Sequence, residues 1–321
     1  MGGRLTATVQ GMNGDIALGV SLRSVSTPPL PRALQEDEWP ALRTAVNEVF
    51  RPDGGDLTAQ YPLLFDRAHR ENLRVIIEAP GGAVIAHAGY VARDALVFRR
   101  RLRLACIGAV FTATPHRGRG LASRVFSDLL LRARPAADLL MVSGDRGLYR
   151  RQGFNPVPPL SRYRLSAPTG HIASVTVRAA QATDLKTMAT LYDAEDVHFV
   201  RPPDDWSRLW AAARLVDAPA RFWMVERGGK PVAYLATQAA APRPDGSERP
   251  RRILELAGDR QALVDAAPAI ADEFLVPSYD DTTRRLCEKQ GWFRTARQFP
   301  ITAQTSTAQA QVIPWYGLNY V

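Results

Sequence analysis

A glycine-rich, basic segment in the first half of the chain has the composition of a phosphate-binding turn. It reads Arg117-Gly118-Arg119-Gly120-Leu121-Ala122-Ser123 and joins an apolar run to a stretch with helical periodicity. The first N–H groups of a helix have no intrahelical acceptor, and the helix dipole is positive there. Glycines let the backbone approach an oxyanion closely, and arginines add charge-assisted hydrogen bonds. The segment is therefore predicted to hold a pyrophosphate mainly through main-chain N–H groups.

Three other interpretations of this segment compete with pyrophosphate binding. A P-loop has Lys and then Ser or Thr after its last glycine, whereas Leu121-Ala122 stands here. A dinucleotide-binding turn would use Gly118, Gly120 and Ser123, with Asp138 as the ribose ligand. It is disfavoured because that motif belongs to the first strand-to-helix turn of a βαβ unit, and several predicted strands come earlier. The third interpretation is an ordinary helix start with glycine and arginine as caps, which the segment alone does not exclude.

The surrounding periodicity predicts the elements that position this turn. Strands are predicted at 75–78, 83–88, 104–111 and 139–143, with an arginine-rich edge strand at 98–103. Apolar residues at helical spacing predict helices over 39–50, 63–73 and 120–133, and a short helix over 148–152.

The order of elements then repeats with little sequence identity. Strands are predicted at 175–178, 222–226, 231–237 and 253–257, and helices at 183–191, 206–215, 261–274 and 282–290. The repetition predicts two copies of one α/β (α+β) fold, each a mixed, mostly antiparallel twisted sheet flanked by helices. The predicted boundaries are a weakly ordered extension over 1–21, a first domain over 22–165, a linker over 166–173 and a second domain over 174–321. The aromatic C-terminal residues are expected to pack on the second domain.

The second copy has lost the basic turn. Gly258-Asp259 follows its corresponding strand, and an acid at a helix start caps the helix and repels a pyrophosphate. The second domain is therefore predicted to be a degenerate, non-catalytic copy that covers the acceptor side of the first domain or supports a homodimer.

A second motif downstream of the turn gives the first domain a family resemblance. The strand, the Arg-x-x-Gly-x-Ala turn, the helix and the next strand lead to Tyr149-Arg-Arg-Gln-Gly153-Phe154. This combination resembles the GCN5-related N-acetyltransferase (GNAT) superfamily. Arg117, Gly120 and Ala122 meet the family's Gln/Arg-x-x-Gly-x-Gly/Ala motif. The resemblance covers about residues 22–165 and suggests two tandem GNAT-like domains, similar to the enhanced-intracellular-survival acetyltransferases and the mycothiol synthases.

The resemblance implies an acyl-CoA-dependent N-acyltransferase that moves acetyl from acetyl-CoA to a primary amine through a tetrahedral intermediate. The strand before the turn is expected to splay from residues 139–143, so that the pantetheine arm pairs with its freed edge. A main-chain N–H among Val110, Phe111 and Thr112 would bind the thioester oxygen. The family often has Asn at the position of Val142, so Ser143 or main-chain groups are expected to bind pantetheine instead.

Tyr149 is implied by the same resemblance to be the general acid that protonates the departing CoA thiolate. The alternative is that its ring only packs against the neighbouring helix. The strand before the turn holds no Glu that could act as a base. Glu78, His87, His116, a chain of waters, or the Val321 carboxylate if the C-terminus reaches the first domain, are the candidates left open.

Composition agrees with a protein that binds anions. Of 41 basic residues 38 are arginine, and the net charge of +9 would attract CoA or nucleic acid. Nucleic acid is disfavoured because no nucleic-acid-binding motif accompanies the charge, although a CoA-binding regulatory or nucleic-acid-associated module is the alternative to an enzyme. Cys106 and Cys287 lie far apart without metal-ligand spacing, and no run suits a leader peptide or a membrane span. We therefore expect a cytoplasmic protein with acetyl-CoA and an amine as substrates and neither a metal nor a membrane partner.

Overall fold

The computed structural model describes residues 29–78, 82–166, 175–242, 248–299, 301–305, 312–315 and 317–319. The predicted extension over 1–21, all of the predicted linker except residue 166, and Val321 lie outside the described residues.

The first half of the chain supplies strands, four α-helices and short 3₁₀ turns within the described ranges. Its strands are β1 (Arg32–Ala33), β2 (Leu73–Glu78), β3 (Ala83–Val97), β4 (Arg100–Thr112), β5 (Leu139–Ser143), β6 (Asn155–Pro156) and β7 (Leu160–Arg164). Its α-helices are α1 (Trp39–Phe50), α2 (Leu57–Gln60), α3 (Leu121–Ala136) and α4 (Gly147–Arg150). Its 3₁₀ helices are Glu36–Glu38, Arg67–Asn72 and Thr114–His116.

The second half repeats this order with additional short strands. Its strands are β8 (Thr176–Ala179), β9 (Val197–Phe199), β10 (Arg214–Leu215), β11 (Ala218–Arg227), β12 (Lys230–Gln238), β13 (Ala241–Pro242), β14 (Glu248–Arg249), β15 (Arg252–Gly258), β16 (Glu273–Val276), β17 (Phe293–Arg297) and β18 (Ile301–Thr305). Its α-helices are α5 (Leu185–Asp193), α6 (Pro203–Ala212), α7 (Arg260–Ile270) and α8 (Asp281–Lys289), with 3₁₀ turns at Ala182–Asp184 and Gly317–Asn319.

Except for β13 and β14, which pair only with each other, these strands form two mixed sheets with matching order. The first runs β1-β2-β3-β4-β5-β18-β6 with β9 beside β3, and the second runs β10-β11-β12-β15-β16-β7-β17 with β8 beside β11. The pairs β4–β5 and β15–β16 are parallel, whereas the other pairs along both sheets are antiparallel. The predicted fold, two mostly antiparallel sheets flanked by helices, is confirmed.

Each sheet is completed by a strand from the other half of the chain. β18 lies between β5 and β6, with Ile301 opposite Ser143 and Ala303 opposite Asn155. β7 lies between β16 and β17, where Tyr163 faces Phe274. Neither sheet is therefore built from one continuous stretch, and the domain boundaries named above stay a prediction.

Apolar stripes on the helices explain how the sheets are covered. In α1 the residues Trp39, Leu42 and Val46 are buried, and a capping box at Gln35–Glu38 precedes the helix. Helix α3 buries its stripe against one face of the first sheet, and α7 does the same on the second. The remaining faces meet in one core that holds residues of both halves, among them Trp39, Phe111, Met141, Trp206, Tyr234 and Leu254. None of the helices in the described part is long and apolar enough to cross a membrane.

Three predicted elements were wrong. The helix over 63–73 is replaced by α2, a turn and the 3₁₀ helix Arg67–Asn72, because Asp56 and Asp66 each cap a separate short helix. Residues 98–103 are not a separate edge strand: Phe98 and Arg99 form the turn of the β3–β4 hairpin with φ of 48° and 70°, and residues 100–103 are the start of β4. The helix over 261–274 ends at Ile270 because the buried run that follows pairs with β15, and a short apolar run does not by itself distinguish helix from strand.

Candidate functional site

The parallel strands β4 and β5 diverge after four residue pairs. Their pairing runs from Leu104 and Leu139 to Ile107 and Val142, whereas β4 continues to Thr112. The Ser143 hydroxyl donates to the Ile107 carbonyl at 3.5 Å, where the strands separate. The edge of β4 beyond Ile107 therefore has no ladder partner in β5, which leaves main-chain groups for a bound chain to pair with.

A β-bulge lies in this unpaired part of β4. His87 of β3 faces Phe111 and Gly89 faces Gly108, so Ala109 and Val110 together oppose a single residue of β3. Ala109 has φ of +51°, in the left-handed region that residues with a side chain seldom adopt. A bulge interrupts the ladder and redirects the adjacent main-chain groups. The predicted thioester-oxygen donors Val110, Phe111 and Thr112 lie at this bulge or directly after it.

Helix α3 begins without a capping side chain. Gly120 is its N-cap in the left-handed conformation, φ 71°, and no side-chain capping hydrogen bond is made there within the described ranges. The first intrahelical bond runs from the Arg124 N–H to the Gly120 carbonyl at 3.1 Å, so the amides of residues 121–123 have no helical acceptor. A Cβ added at Gly118 or Gly120 would meet no atom within 4 Å. The helix start is therefore open on the side where an anion would lie.

One cavity of about 490 Å³ joins the helix start to the unpaired edge of β4. It is lined by nine predicted cofactor-binding residues: Val110, Phe111, Thr112, Arg117, Gly118, Gly120, Leu121, Ala122 and Ser123. Arg119 does not line it and contacts the ring of His116 at 3.0 Å, and Ser143 lies at the point where the strands separate. Arg117 Nε lies 3.4 Å from the Thr112 carbonyl, which holds its guanidinium near the β4 edge.

The residues that line the opposite side of this cavity were not predicted from the sequence. Val49 and Phe50 come from the end of α1, whereas Arg146 and Leu148 come from the segment after β5. Arg146 donates to the Val110 carbonyl at 3.5 Å. The signal for Arg146 was its place in the Gly144–Gly147 segment after β5, but nothing local to residues 49 and 50 indicated that α1 ends beside the turn.

Tyr149 is buried in the core under α3 and does not itself line this cavity, whereas the preceding residue, Leu148, does. The Tyr149 ring is 2% exposed and packs 5.2 Å from the Phe126 ring and 6.5 Å from the Phe154 ring, centre to centre. A Cβ added at Gly144 would sit 3.7 Å from the Tyr149 hydroxyl, so the phenol faces the end of β5. Burial raises the pKa of Tyr149, and the Arg146 charge opposes this rise only in part. The phenol is therefore protonated at neutral pH, as a general acid must be, and its catalytic role stays a prediction.

The candidate bases occupy two different places. His116 lines the cavity, and its Nε2 lies 3.6 Å from the Glu78 carboxylate, near the predicted pyrophosphate position. His87 is fully buried behind the bulge and bonds the Ala109 carbonyl through Nδ1 at 2.7 Å. Among the residues that the structure describes, no group of three His, Cys, Asp or Glu side chains could hold a metal ion.

The second half has the same divergence of strands but a closed helix start. β15 and β16 pair at Arg252 and Ile253, with Glu273 and Phe274 opposite, and then separate. Asp259 caps α7 by accepting from the Ala262 N–H at 2.8 Å. The Ala262 N–H, which could otherwise bind an anion, therefore already donates to the Asp259 carboxylate.

The chain's own C-terminal segment occupies the edge of β15 that corresponds to the open edge of β4. Trp315 Nε1 donates to the Leu254 carbonyl at 2.6 Å, and the Leu318 N–H donates to the Glu255 carboxylate at 2.7 Å. Little space remains, since the cavity beside these residues measures about 40 Å³.

A larger cavity of about 660 Å³ lies at the other end of the second sheet and is lined by several arginines. Asp272 pairs with Arg251, and Glu273 pairs with Arg252. Because β15 and β16 are still paired there, this cavity lacks the open strand edge and uncapped helix start of the first.

Comparison with known proteins finds a family match in the part of the chain that holds the first of these sites. Residues 31–157, which contain the divergent strands and the open helix start, match the family model of the acetyltransferase (GNAT) domain. No curated protein matches the sequence significantly.

Several solved structures share the fold of nearly the whole chain. A GCN5-related N-acetyltransferase from Anabaena variabilis is 17% identical, with 86% of this chain and 72% of that chain covered and a TM-score of 0.63. A conserved protein of unknown function from Enterococcus faecalis, a probable N-acyltransferase, is 12% identical over 87% of this chain and 73% of its own, TM-score 0.64. Eis1 from Mycobacterium abscessus is 16% identical over 86% and 73%, TM-score 0.59. At these identities the likeness to the solved structures concerns the fold alone, and the family match shows a GNAT acetyltransferase domain over residues 31–157.

Proposed function

We propose that this protein is an acyl-CoA-dependent N-acyltransferase that transfers acetyl from acetyl-CoA to a primary amine. The observation that carries the proposal is the single cavity of about 490 Å³ that connects an uncapped helix start to an unpaired strand edge. The first feature suits a pyrophosphate and the second suits a pantetheine arm, and these two groups are covalently joined in CoA.

Different cofactor-binding residues would contact different parts of acetyl-CoA. The amides of Gly120, Leu121, Ala122 and Ser123 would donate to the pyrophosphate, with Arg117, Gly118 and Arg119 beside them. The unpaired edge of β4 and the Ser143 hydroxyl would bind pantetheine.

The chemistry proposed is a direct attack without an acyl-enzyme. The amine nitrogen adds to the thioester carbon, and an N–H among Val110, Phe111 and Thr112 donates to the oxyanion that forms. Collapse breaks the C–S bond, and Tyr149 gives its proton to the thiolate while the amine loses one to a base or water. Holding both reactants together in this way can supply about 7–11 kcal/mol of the barrier reduction.

The second half is proposed to bind no acyl-CoA, because Asp259 caps its helix start and Trp315 and Leu318 occupy its strand edge. It would cover the acceptor side of the first half or contribute to a homodimer. A cytoplasmic location is proposed from the low cysteine content, two residues in the whole chain, and the use of acetyl-CoA.

A non-catalytic CoA-binding regulatory or nucleic-acid-associated module is the second candidate. The tight packing of Tyr149 between Phe126 and Phe154 favours it, since a purely structural role would give the same contacts. Such a module would bind acetyl-CoA but release no thiol.

Calorimetry with acetyl-CoA, followed by thiol release with a panel of amines, tests the proposal. The wild type should bind one acetyl-CoA per chain and release thiol with at least one primary amine. Gly120→Asp should reduce affinity by at least tenfold, because a carboxylate then stands where the pyrophosphate binds.

Gly291→Asp is the matched control for that substitution. Gly291 has φ of 73° against 71° for Gly120, and a Cβ at either would meet no atom within 4 Å. The two variants therefore share the same backbone strain and the same added charge, but only one changes the helix start. Equal affinity in both variants, or no heat with the wild type, would contradict the proposal.

A further inference from the structure

The imidazole of His87 contacts the bulge of β4 from the side of the shared core. Its ring is fully buried and lies 6.1 Å from the Phe65 ring and 5.9 Å from the Phe111 ring. Nδ1 is 2.7 Å from the carbonyl oxygen of Ala109, whereas Nε2 is buried without a hydrogen-bond partner among the described residues.

These contacts define the protonation state of the ring. Burial lowers the pKa of His87 to about 4, so the imidazole is neutral at pH 7. A carbonyl oxygen only accepts, so the single ring proton lies on Nδ1 and Nε2 carries a lone pair.

Two unfavourable features meet at this bulge. The left-handed conformation of Ala109 is unfavourable for a residue with a side chain, and burying Nε2 without a hydrogen-bond partner among the described residues is unfavourable as well. An apolar side chain at position 87 would avoid the second cost. The histidine is therefore poorly explained by stability alone.

The geometry of the peptide group connects His87 to the site. In a planar trans peptide the carbonyl of Ala109 and the N–H of Val110 point in opposite directions. A bond that draws the Ala109 oxygen toward His87 therefore turns the Val110 N–H away from the core. Val110 lines the cavity and is one of the two bulge residues that together oppose a single residue of β3.

We propose that His87 is a positioning residue that holds the Ala109–Val110 peptide so that the Val110 N–H donates to the thioester oxygen. This inference rests on the proposed acyltransferase function and selects one donor among the three residues named above. It gives His87 no proton-transfer step.

Three substitutions separate this role from a structural one. Asn places a side-chain N–H near the position of Nδ1, Gln places it near Nε2, and Leu removes both nitrogens while filling the core. His87→Leu and His87→Gln should lower kcat about 100-fold, the effect of losing one oxyanion donor, with KM for acetyl-CoA within about twofold. His87→Asn should recover most of kcat.

Equal activity in the Asn and Gln variants, or wild-type kcat in the Leu variant, would overturn the proposal. Should His87→Leu fail to fold, the Asn and Gln variants still decide, because both keep a polar side chain of similar volume. A protonation-dependent rate in the wild type whose pH dependence is lost in His87→Asn would assign a base role to His87 instead and overturn the positioning role.

A second measurement does not depend on turnover. In ¹⁵N-histidine spectra His87 should keep a protonated Nδ1 and a bare Nε2 from pH 8 to about pH 5. Amide hydrogen exchange of the peptide spanning 105–112 should be faster in His87→Leu than in the wild type. If the wild type turns over no acyl-CoA, the proposed function fails, whereas unchanged exchange or a protonated Nε2 would overturn the positioning role.

Discussion

Tyr149, the proposed general acid, is also a packing residue of the core. Its ring belongs to the core beneath α3, and its hydroxyl faces the end of β5 near the open edge of β4. Because burial raises its pKa, the phenol keeps its proton through the neutral range. The Tyr149 phenol can donate a proton at any pH below its pKa in the folded protein, and it loses this ability only at higher pH.

Tyr149→Phe should lower the rate of thiol release about 100-fold and leave the Kd for acetyl-CoA unchanged, since it removes the acid and keeps the packing. In the wild type, the activity that depends on this proton should persist through neutral pH and decline only above about pH 10. Steady-state rates from pH 6 to pH 11 and calorimetry provide the measurement.

Tyr163→Phe is the control, because this tyrosine is also fully buried but lies in β7 of the second sheet. It should keep the wild-type rate. An unchanged rate in Tyr149→Phe would assign Tyr149 to packing and favour the non-catalytic module.

At the scale of single elements, a buried ion pair lies where the C-terminal segment packs on the second sheet. Both of its side chains hydrogen-bond to that segment. The guanidinium of Arg201 bonds both oxygens of Glu255 in β15, at 2.9 and 2.7 Å, and both side chains are nearly inaccessible. Glu255 also accepts from Tyr234 and from the Leu318 N–H, and Arg201 donates to Asn319 at 2.6 Å. The Glu255 carboxylate therefore accepts hydrogen bonds from three separate parts of the chain.

Arg201→Met should lower the free energy of unfolding by about 3–5 kcal/mol, because it leaves Glu255 charged and buried without its partner. The double substitution Arg201→Met with Glu255→Met should recover most of that loss. Denaturant unfolding measures both changes.

Arg251→Met offers a comparison at an exposed pair with Asp272, where the expected loss is within about 1 kcal/mol. If Arg201→Met lowers the free energy of unfolding no more than Arg251→Met does, the buried pair does not stabilise the fold as predicted.

Elements with strong local periodicity were predictable, and elements defined by distant partners were not. Helix α1 was predicted with its observed bounds, because its apolar spacing and the acids before it are local signals. The turn at 117–123 was predictable for the same reason, since its glycines and arginines are contiguous. By contrast, Phe50 and Arg146 reach the cavity only through tertiary folding, and the pairing of β18 with β5 joins residues far apart in sequence.

At the scale of the whole molecule, the exchanged strands make the two halves dependent on each other. β18 supplies the neighbour of both β5 and β6, and β7 supplies the neighbour of both β16 and β17. The halves also share one apolar core. Their stabilities are therefore expected to be coupled although the chain contains two sheets.

Calorimetric unfolding should show one cooperative transition for the full chain. A fragment that ends at residue 166 lacks β18 and should neither unfold cooperatively nor bind acetyl-CoA. Co-expression of that fragment with residues 175–321 should restore both properties, because the exchanged strands can then pair. A cooperative transition and acetyl-CoA binding by the first fragment alone would contradict the coupling.

The late position of β18 also has a consequence during synthesis. Its residues, 301–305, follow β5 by roughly 160 residues, so the ribosome must add them all before the first sheet can be completed. At about 5–20 residues per second, the edge of β5 stays uncovered in the nascent chain for roughly 8–32 s. An uncovered strand edge is a template for intermolecular pairing, so newly made chains are expected to need a holding chaperone more than the finished protein does.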